Sequence, residues 1–172
     1  DLNRDGRTDI VLNEWPNHLV WLAQPERASD AWQLSVIGDT APDMLVSVRL
    51  ADIDGDGDLD AFAGTYSLGD RAEDDASTNE QSPSGRISWF ENPGLLVAGP
   101  WQRHDIVRRK RGMYDKWIAR DMDGDGDIDM VGTRGNSAPY DGVIWLEQVR
   151  SVVPLAAFEG ARARDSMDLP LP

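Results

Sequence analysis

Alternating aspartates recur three times along this chain and are the residues whose types and spacing could do chemistry. The segment "ADIDGDGDLD" at 51–60 returns as "RDMDGDGDID" at 120–129, and a looser copy, "DLNRDGRTD", opens the chain. Carboxylates at positions 1, 3, 5 and 9 of a curled loop can converge on one cation, and the glycine at position 6 permits the sharp turn. The spacing therefore predicts three metal-binding loops.

Position 7 of each loop is expected to offer its backbone carbonyl, because its side chain varies between Asp58, Asp127 and Arg7. Oxygen ligands alone favour Ca²⁺, with Mg²⁺ second because it usually keeps several waters. The expected ligands of the two fuller loops are Asp52, Asp54, Asp56, Asp58 (carbonyl) and Asp60, and Asp121, Asp123, Asp125, Asp127 (carbonyl) and Asp129. The opening loop has one carboxylate fewer and is expected to bind most weakly, through Asp1, Asn3, Asp5, Arg7 (carbonyl) and Asp9.

The spacing of the loops allows one other interpretation and excludes another. Asp-Gly dipeptides form good turns without any ion, so solvated acidic turns remain an alternative. An EF-hand is excluded, because its position 12 requires a bidentate glutamate. Here that position is Leu12, Ala63 or Gly132, each inside a strand-like segment.

Composition limits the classes of partner. The 172 residues include 31 acidic and 17 basic ones, giving a formal charge of −14, which argues against nucleic acid or an anionic membrane. Cysteine is absent, so neither disulfides nor thiolate metal sites are available. No apolar run approaches the roughly 20 residues that span a bilayer, so no membrane insertion is expected. Because the chain starts inside a motif, we expect it to be a fragment of a longer precursor.

The elements that must position these loops are predicted to be strands. Each loop is followed by an apolar segment around Trp21, Trp89 or Trp145, and the first two of these by "WQLSVI" and "WQRHDI". The segments are short, rich in Val, Ile, Trp and Phe, and bounded by turn residues, so each repeat contains about four strands. Such repeats predict an all-β chain of four-stranded antiparallel β-propeller blades; a solenoid or a sandwich fits less well.

The acidic loops followed by "WFENPG" and "VIWLE" resemble FG-GAP/VCBS-type repeats over residues 1 to about 150. The resemblance implies a calcium-binding β-propeller like the integrin alpha-subunit head, usually of seven blades, with Ca²⁺ on the loop joining a blade's first two strands. Faint phenylalanine–glycine and glycine–alanine–proline signatures place the chain nearer a bacterial VCBS-like branch. We expect approximate repeats at 1–51, 52–120 and 121–150, followed by a tail or connector at 151–172. About three repeats form only part of a larger propeller, completed by the rest of a longer chain or by other copies.

The end of the sheets opposite the metal loops is the expected partner face. It would carry the long insert at 66–86, the exposed Trp15 and the only basic cluster, whose members are Arg108, Arg109, Lys110 and Arg111. The tryptophans that recur in register, at 21, 89 and 145, are expected to pack between blades. A solvated loop is the simpler interpretation of the insert, and a solubilising turn is the simpler interpretation of the basic cluster.

Evidence for catalysis is thin. His104 falls inside a predicted strand, and nothing in the spacing of Tyr66, Tyr114 and Tyr140 singles out a base. The sequence therefore predicts a calcium-stabilised, extracellular or cell-surface module that binds or adheres to a glycan or protein partner. The alternative is the propeller scaffold of a carbohydrate-active enzyme such as a polysaccharide lyase; a pure spacer is a third possibility.

Overall fold

The structure is a computed structural model that describes residues 1–66, 85–94, 98–109, 112–135 and 142–150. Most of the long insert, Lys110, Arg111, Tyr140 and the tail at 151–172 lie outside the described residues. Within the described residues the chain contains ten strands and no helix, so none that could cross a membrane. The expectation of an all-β chain is confirmed.

The strands form three antiparallel sheets. Sheet 1 contains β1 to β3, sheet 2 contains β4 to β7, and sheet 3 contains β8 to β10, with hydrogen-bonded neighbours in chain order. The strand bounds are β1 Ile10–Glu14, β2 His18–Ala23, β3 Gln33–Asp39, β4 Met44–Ala51, β5 Asp60–Tyr66, β6 Gly85–Glu91, β7 Gln102–Arg109, β8 Trp117–Arg120, β9 Asp129–Gly135 and β10 Gly142–Leu146.

Each of the two fuller acidic loops joins the first two strands of a sheet, β4 to β5 and β8 to β9. The repeat boundaries expected at 51/52 and 120/121 therefore fall inside sheets 2 and 3. The structural unit begins one strand earlier, at Met44 and Trp117, because the loop connects strands that pair with each other.

Sheet 2 packs between the other two sheets. Its rear face meets sheet 1 in a core of Leu19, Trp21, Ile37, Leu45, Ala61, Ala63, Phe90 and Trp101, joined by Leu2 of the opening loop. Its forward face meets sheet 3 in a core of Ala51, Phe62, Ile87, Val107, Trp117 and Met130, with Tyr114 just before β8. Strand β5 is buried along almost its whole length, since it lies inside sheet 2 with both faces covered. Its sequence, "DAFAGTY", accordingly lacks an alternating polar side.

The repeated tryptophans differ in burial. Trp21 is 4% exposed in the first core, Trp89 is half-buried beside the second, and Trp145 is 50% exposed. Trp21 and Trp89 thus pack between sheets. For Trp145 the expected packing is not seen, because no sheet among the described residues covers the outer side of sheet 3.

A buried ion-pair cluster joins sheet 2 to the segment between β3 and β4 that connects it with sheet 1. Arg86 of β6 is fully buried; its Nε lies 2.5 Å from Asp43 and its Nη1 lies 2.6 Å from Asp105. Ser88 donates a 2.6 Å hydrogen bond to the second oxygen of Asp105. Because breaking a buried pair strands a charge in a medium of low polarity, this cluster restricts how sheet 2 is placed.

Glycines in the strands allow the sheets to approach closely. At Gly132 an added Cβ would lie 2.3 Å from the ring of Trp117, which pairs with it across β8 and β9. We expect Gly132→Ala to lower the free energy of unfolding by about 1–3 kcal/mol through overpacking, measured by urea denaturation. In a Trp117→Phe background, where the ring is smaller, the same substitution should cost less. An equal cost in both backgrounds would show that Trp117 is not the obstacle.

Candidate metal-binding loops

All three acidic loops curl by closely similar hydrogen bonds, which are identical in the two fuller loops. The carboxylate at position 1 accepts two backbone N–H groups from within its own loop: Asp52 from Gly55 and Gly57, and Asp121 from Gly124 and Gly126. In the opening loop, Asp1 accepts from Asp5 and Gly6. Positions 3 and 5 each accept the N–H two residues further on, in every loop. The side chains themselves therefore wind the backbone into a ring of oxygens.

Positions 4 and 6 require a backbone conformation that side chains disfavour. Both have positive φ in every loop, and five of the six residues are glycines. The exception is Arg4, with φ 58°, the only non-glycine residue with positive φ among the described residues. The sequence pattern predicts a sharp turn at position 6 alone, whereas the backbone has glycine-like geometry at both position 4 and position 6.

The carboxylate at position 9 bridges two segments of backbone. Asp60 accepts the N–H of Ile53 at 2.8 Å and that of Asn92 at 2.9 Å. Asp129 does the same with Met122 and Gln148, and Asp9 with Leu2 and Gln24. Asn92, Gln148 and Gln24 each lie three residues after a repeated tryptophan. Position 9 thus ties the loop to the end of the third strand of the unit.

Two loops bring three carboxylates together. One oxygen from each of Asp52, Asp54 and Asp60 lies within 4.8 Å of the others, and the same holds for Asp121, Asp123 and Asp129. The position-5 residues Asp56 and Asp125 are not members of these groups. Positions 1, 3 and 9 therefore form the converging set in both loops.

The electrostatics of the loops disfavour bare negative charge. Burial raises the pKa of Asp60 to about 6, against its two backbone hydrogen bonds, which lower it. Burial also raises the pKa of Asp54 and of Asp127, and neighbouring aspartates raise both further. One oxygen of Asp127, Oδ1, is buried without a hydrogen-bond partner. Each of these groups would be stabilised by a positive charge placed beside it.

Arginines already supply part of that charge in the first two loops. Arg7 pairs with Asp5 inside the opening loop, and its Nε donates to Gln24 O. Arg4 reaches from the opening loop to the next one, where it pairs with Asp58 and donates to Gly57 O. The side chains at position 7, whose backbone carbonyl is the predicted ligand, take part in ion pairs in two loops, through Arg7 and Asp58. Arg7 also competes with any cation for Asp5.

The expected partner-face residues are found in different surroundings. Trp15 lies in the β1–β2 turn, is 74% exposed, and donates its Nε1–H to Met44 Sδ. Arg108 and Arg109 belong to β7 and not to a turn, because Gly85 and Arg86 of β6 pair with them. Arg108 is only 2% exposed, so it is not presented on a surface as the sequence analysis expected.

His104 occupies the strand position predicted for it, in β7. Its Nε2 lies 2.7 Å from Glu91 Oε2, and its ring stacks on Trp89 with centroids 4.4 Å apart. Tyr114 is buried in the second core. These contacts explain both residues as parts of the packing.

Sequence reasoning missed the residues that complete the loops. The Gln or Asn three residues after each repeated tryptophan is visible as "WLAQ", "WFEN" and "WLEQ". Asn92 donates its side-chain amide to Leu59 O, and Gln148 donates its own to Ile53 O of the neighbouring loop. The recurring amide was therefore a readable signal. The role of Arg4 could not be read from the sequence, since its two partners, Gly57 and Asp58, lie 53 and 54 residues away.

Comparison with known proteins gives one match, to a family model that covers part of the chain. Residues 1–63 match the model of the FG-GAP-like repeat, a span that includes sheet 1 and the first two acidic loops. No curated protein and no solved structure matches the chain. The third loop, at 121–129, lies outside the matched residues but repeats the same hydrogen bonds. The match supports the FG-GAP repeat family, whose repeats are typical of extracellular and adhesion-type modules.

The bridge made by position 9 can be tested without any metal. In excess chelator, we expect Asp129→Ala to lower the free energy of unfolding by at least about 2 kcal/mol, because two N–H groups lose their acceptor at about 1–3 kcal/mol each. The matched control is Asp125→Ala, at an exposed position of the same loop, which should cost much less. If urea denaturation showed the same loss of unfolding free energy for both variants, the bridge would contribute no more to stability than an exposed loop carboxylate.

Proposed function

We propose that this chain is a calcium-stabilised β-propeller module that works outside the cell by binding a glycan or protein partner. The observation that carries the proposal is the convergence of three carboxylates in each of two loops of identical design. A hard divalent cation with oxygen ligands matches such a donor set. The partnerless Oδ1 of Asp127 and the raised pKa of Asp60 add support, since both groups lie in surroundings that would favour a bound cation.

The residues that would bind Ca²⁺ follow from the loop positions. In the second loop they are Asp52, Asp54 and Asp60, with Asp56 and the carbonyl of Asp58 completing the set. In the third loop they are Asp121, Asp123 and Asp129, with Asp125 and the carbonyl of Asp127. Bound Ca²⁺ would neutralise the clustered charge and fix the turn. The opening loop is the weakest candidate, because Asn3 replaces a carboxylate and Arg7 occupies Asp5.

The propeller part of the proposal is supported by how the sheets stack. Sheet 2 is a complete four-stranded antiparallel unit, and it packs face to face with a similar sheet on each side. Stacking of such units is how propeller blades build their shared cores. Binding is favoured over catalysis because His104 and Tyr114 are both engaged in packing.

Calcium binding has a direct test. Isothermal titration of chelator-stripped protein should reveal two Ca²⁺ sites and a weaker third, and EGTA should lower the melting temperature. Each site should stabilise the fold by about 2.7 kcal/mol at a Ca²⁺ concentration of 100 Kd. Asp54→Asn and Asp123→Asn should each remove one of the two tighter sites, while the exposed Asp115→Asn should remove none. The proposal fails if no heat is seen and melting ignores EGTA.

Trp15 is the proposed contact for a carbohydrate partner. Its ring is exposed and oriented by the Met44 hydrogen bond, and it lies at the end of sheet 1 opposite the acidic loops. Sugars stack on such rings, so glycans bound on an array by the calcium-loaded chain should be lost with Trp15→Ala and partly kept with Trp15→Phe. Full binding by Trp15→Ala would exclude this contact and favour a protein partner elsewhere.

A further inference from the structure

The way sheets cover one another inside the chain is regular. At both internal contacts the forward face of one sheet packs against the rear face of the next. In sheet 1 the forward face contains Val11, Leu19 and Trp21, and the first core covers it. In sheet 2 the equivalent residues are Phe62, Ile87 and Trp89, and the second core covers these. In both cases, the rear face of the next sheet covers the forward face.

The forward face of sheet 3 has the same composition but no covering sheet among the described residues. Ile118, Val131 and Trp145 are register partners across β8, β9 and β10, and Val143 lies on the same side. Ile118 is 53% exposed, Trp145 50% and Val143 74%. Aromatic and branched residues in a continuous row on an exposed sheet face mark an interaction site.

The rear face of sheet 1 is the counterpart. Ile10, Leu22 and Leu34 are register partners across its three strands, and Leu12, Val20 and Val36 form the next row. Val20 is buried, but Ile10 is 45% exposed, Leu34 56% and Val36 40%. In sheet 2 the corresponding rear face, with Ala61 and Phe90, packs against sheet 1. Within the part of the chain that the structure describes, no sheet covers the forward face of sheet 3 or the rear face of sheet 1, although Val20 on the latter face is buried.

We propose that two copies of this chain associate head to tail, with the forward face of sheet 3 in each copy packed against the rear face of sheet 1 in the other. A second copy is the partner that supplies both complementary faces at once, in the pairing already used at the two internal contacts. The two faces are different surfaces, so the contact is heterologous and gives a closed ring only if the rotation closes. Two copies bring together six sheets, within the four to eight blades of closed propellers, so the closed form rests on the proposed propeller architecture.

The mass in solution tests the assembly. Calcium-saturated chain should sediment at about twice the 19.0 kDa of one chain. Trp145→Asp and Leu34→Asp should each give single chains, because each places a charge on one face, whereas Val149→Asp, an exposed site outside all strands, should not. A single-chain mass for the unaltered protein would overturn the proposal, as would an open-ended polymer. In that case, the forward face of sheet 3 and the rear face of sheet 1 would be covered by further repeats of a longer protein.

The orientation of the contact can be tested with cysteines, since the chain has none of its own. Val143→Cys and Leu34→Cys should crosslink through a short bismaleimide when mixed, but neither should crosslink alone. Crosslinking of either variant with itself would show a like-to-like contact and overturn the head-to-tail arrangement. Calcium titration of every variant separates the two proposals, because the loops should still bind Ca²⁺ even if the chain never associates.

Discussion

The double hydrogen bond of the carboxylate at position 9 is the interaction on which the rest of this structure depends. It closes the acidic loop onto the backbone just after the strand of the repeated tryptophan. Because Asp60 and Asp129 are only 1% exposed, their four backbone donors have no water to replace them. The loop, its two flanking strands and the next strand therefore form as one unit. This bridge therefore also determines where a cation site in the loop would lie.

The regular features were predictable from sequence because they are local or repeated. The spacing of acidic loops and tryptophans predicts the strand order within each sheet. The alternate aspartates predict convergence of positions 1, 3, 5 and 9, of which positions 1, 3 and 9 lie together in the structure. Long-range features could not be found in this way. Asp43 and Arg86 are 43 residues apart, and no local pattern links them. Likewise, Trp21 and Trp145 occupy the same repeat position, but their burial differs because it depends on the neighbouring sheet.

The basic cluster shows the same limit. A run of four cations reads as a surface turn, because charged side chains are rarely buried without partners. In the structure, Arg108 lies within β7, opposite Arg86 of β6, and is buried. The sequence shows where the positive charges are, but the length and register of β7 determine which of these side chains is buried. The conformation of the acidic loops was easier to predict, because hydrogen bonds to their own side chains determine it.

The two contacts of sheet 2 differ in chemistry, and that difference has a consequence for how the molecule comes apart. The segment that links sheets 1 and 2 is attached through the buried ion pair of Arg86 with Asp43, in addition to the apolar packing between the two sheets. The core shared with sheet 3 is apolar and aromatic, with a hydrogen bond from Ser47 to Tyr114 O beside it. Apolar contacts weaken gradually as side chains slide, but a buried ion pair tolerates little displacement before water must enter. Hydrogen exchange should therefore find sheets 1 and 2 opening together as one block, with sheet 3 fraying independently and at lower energy.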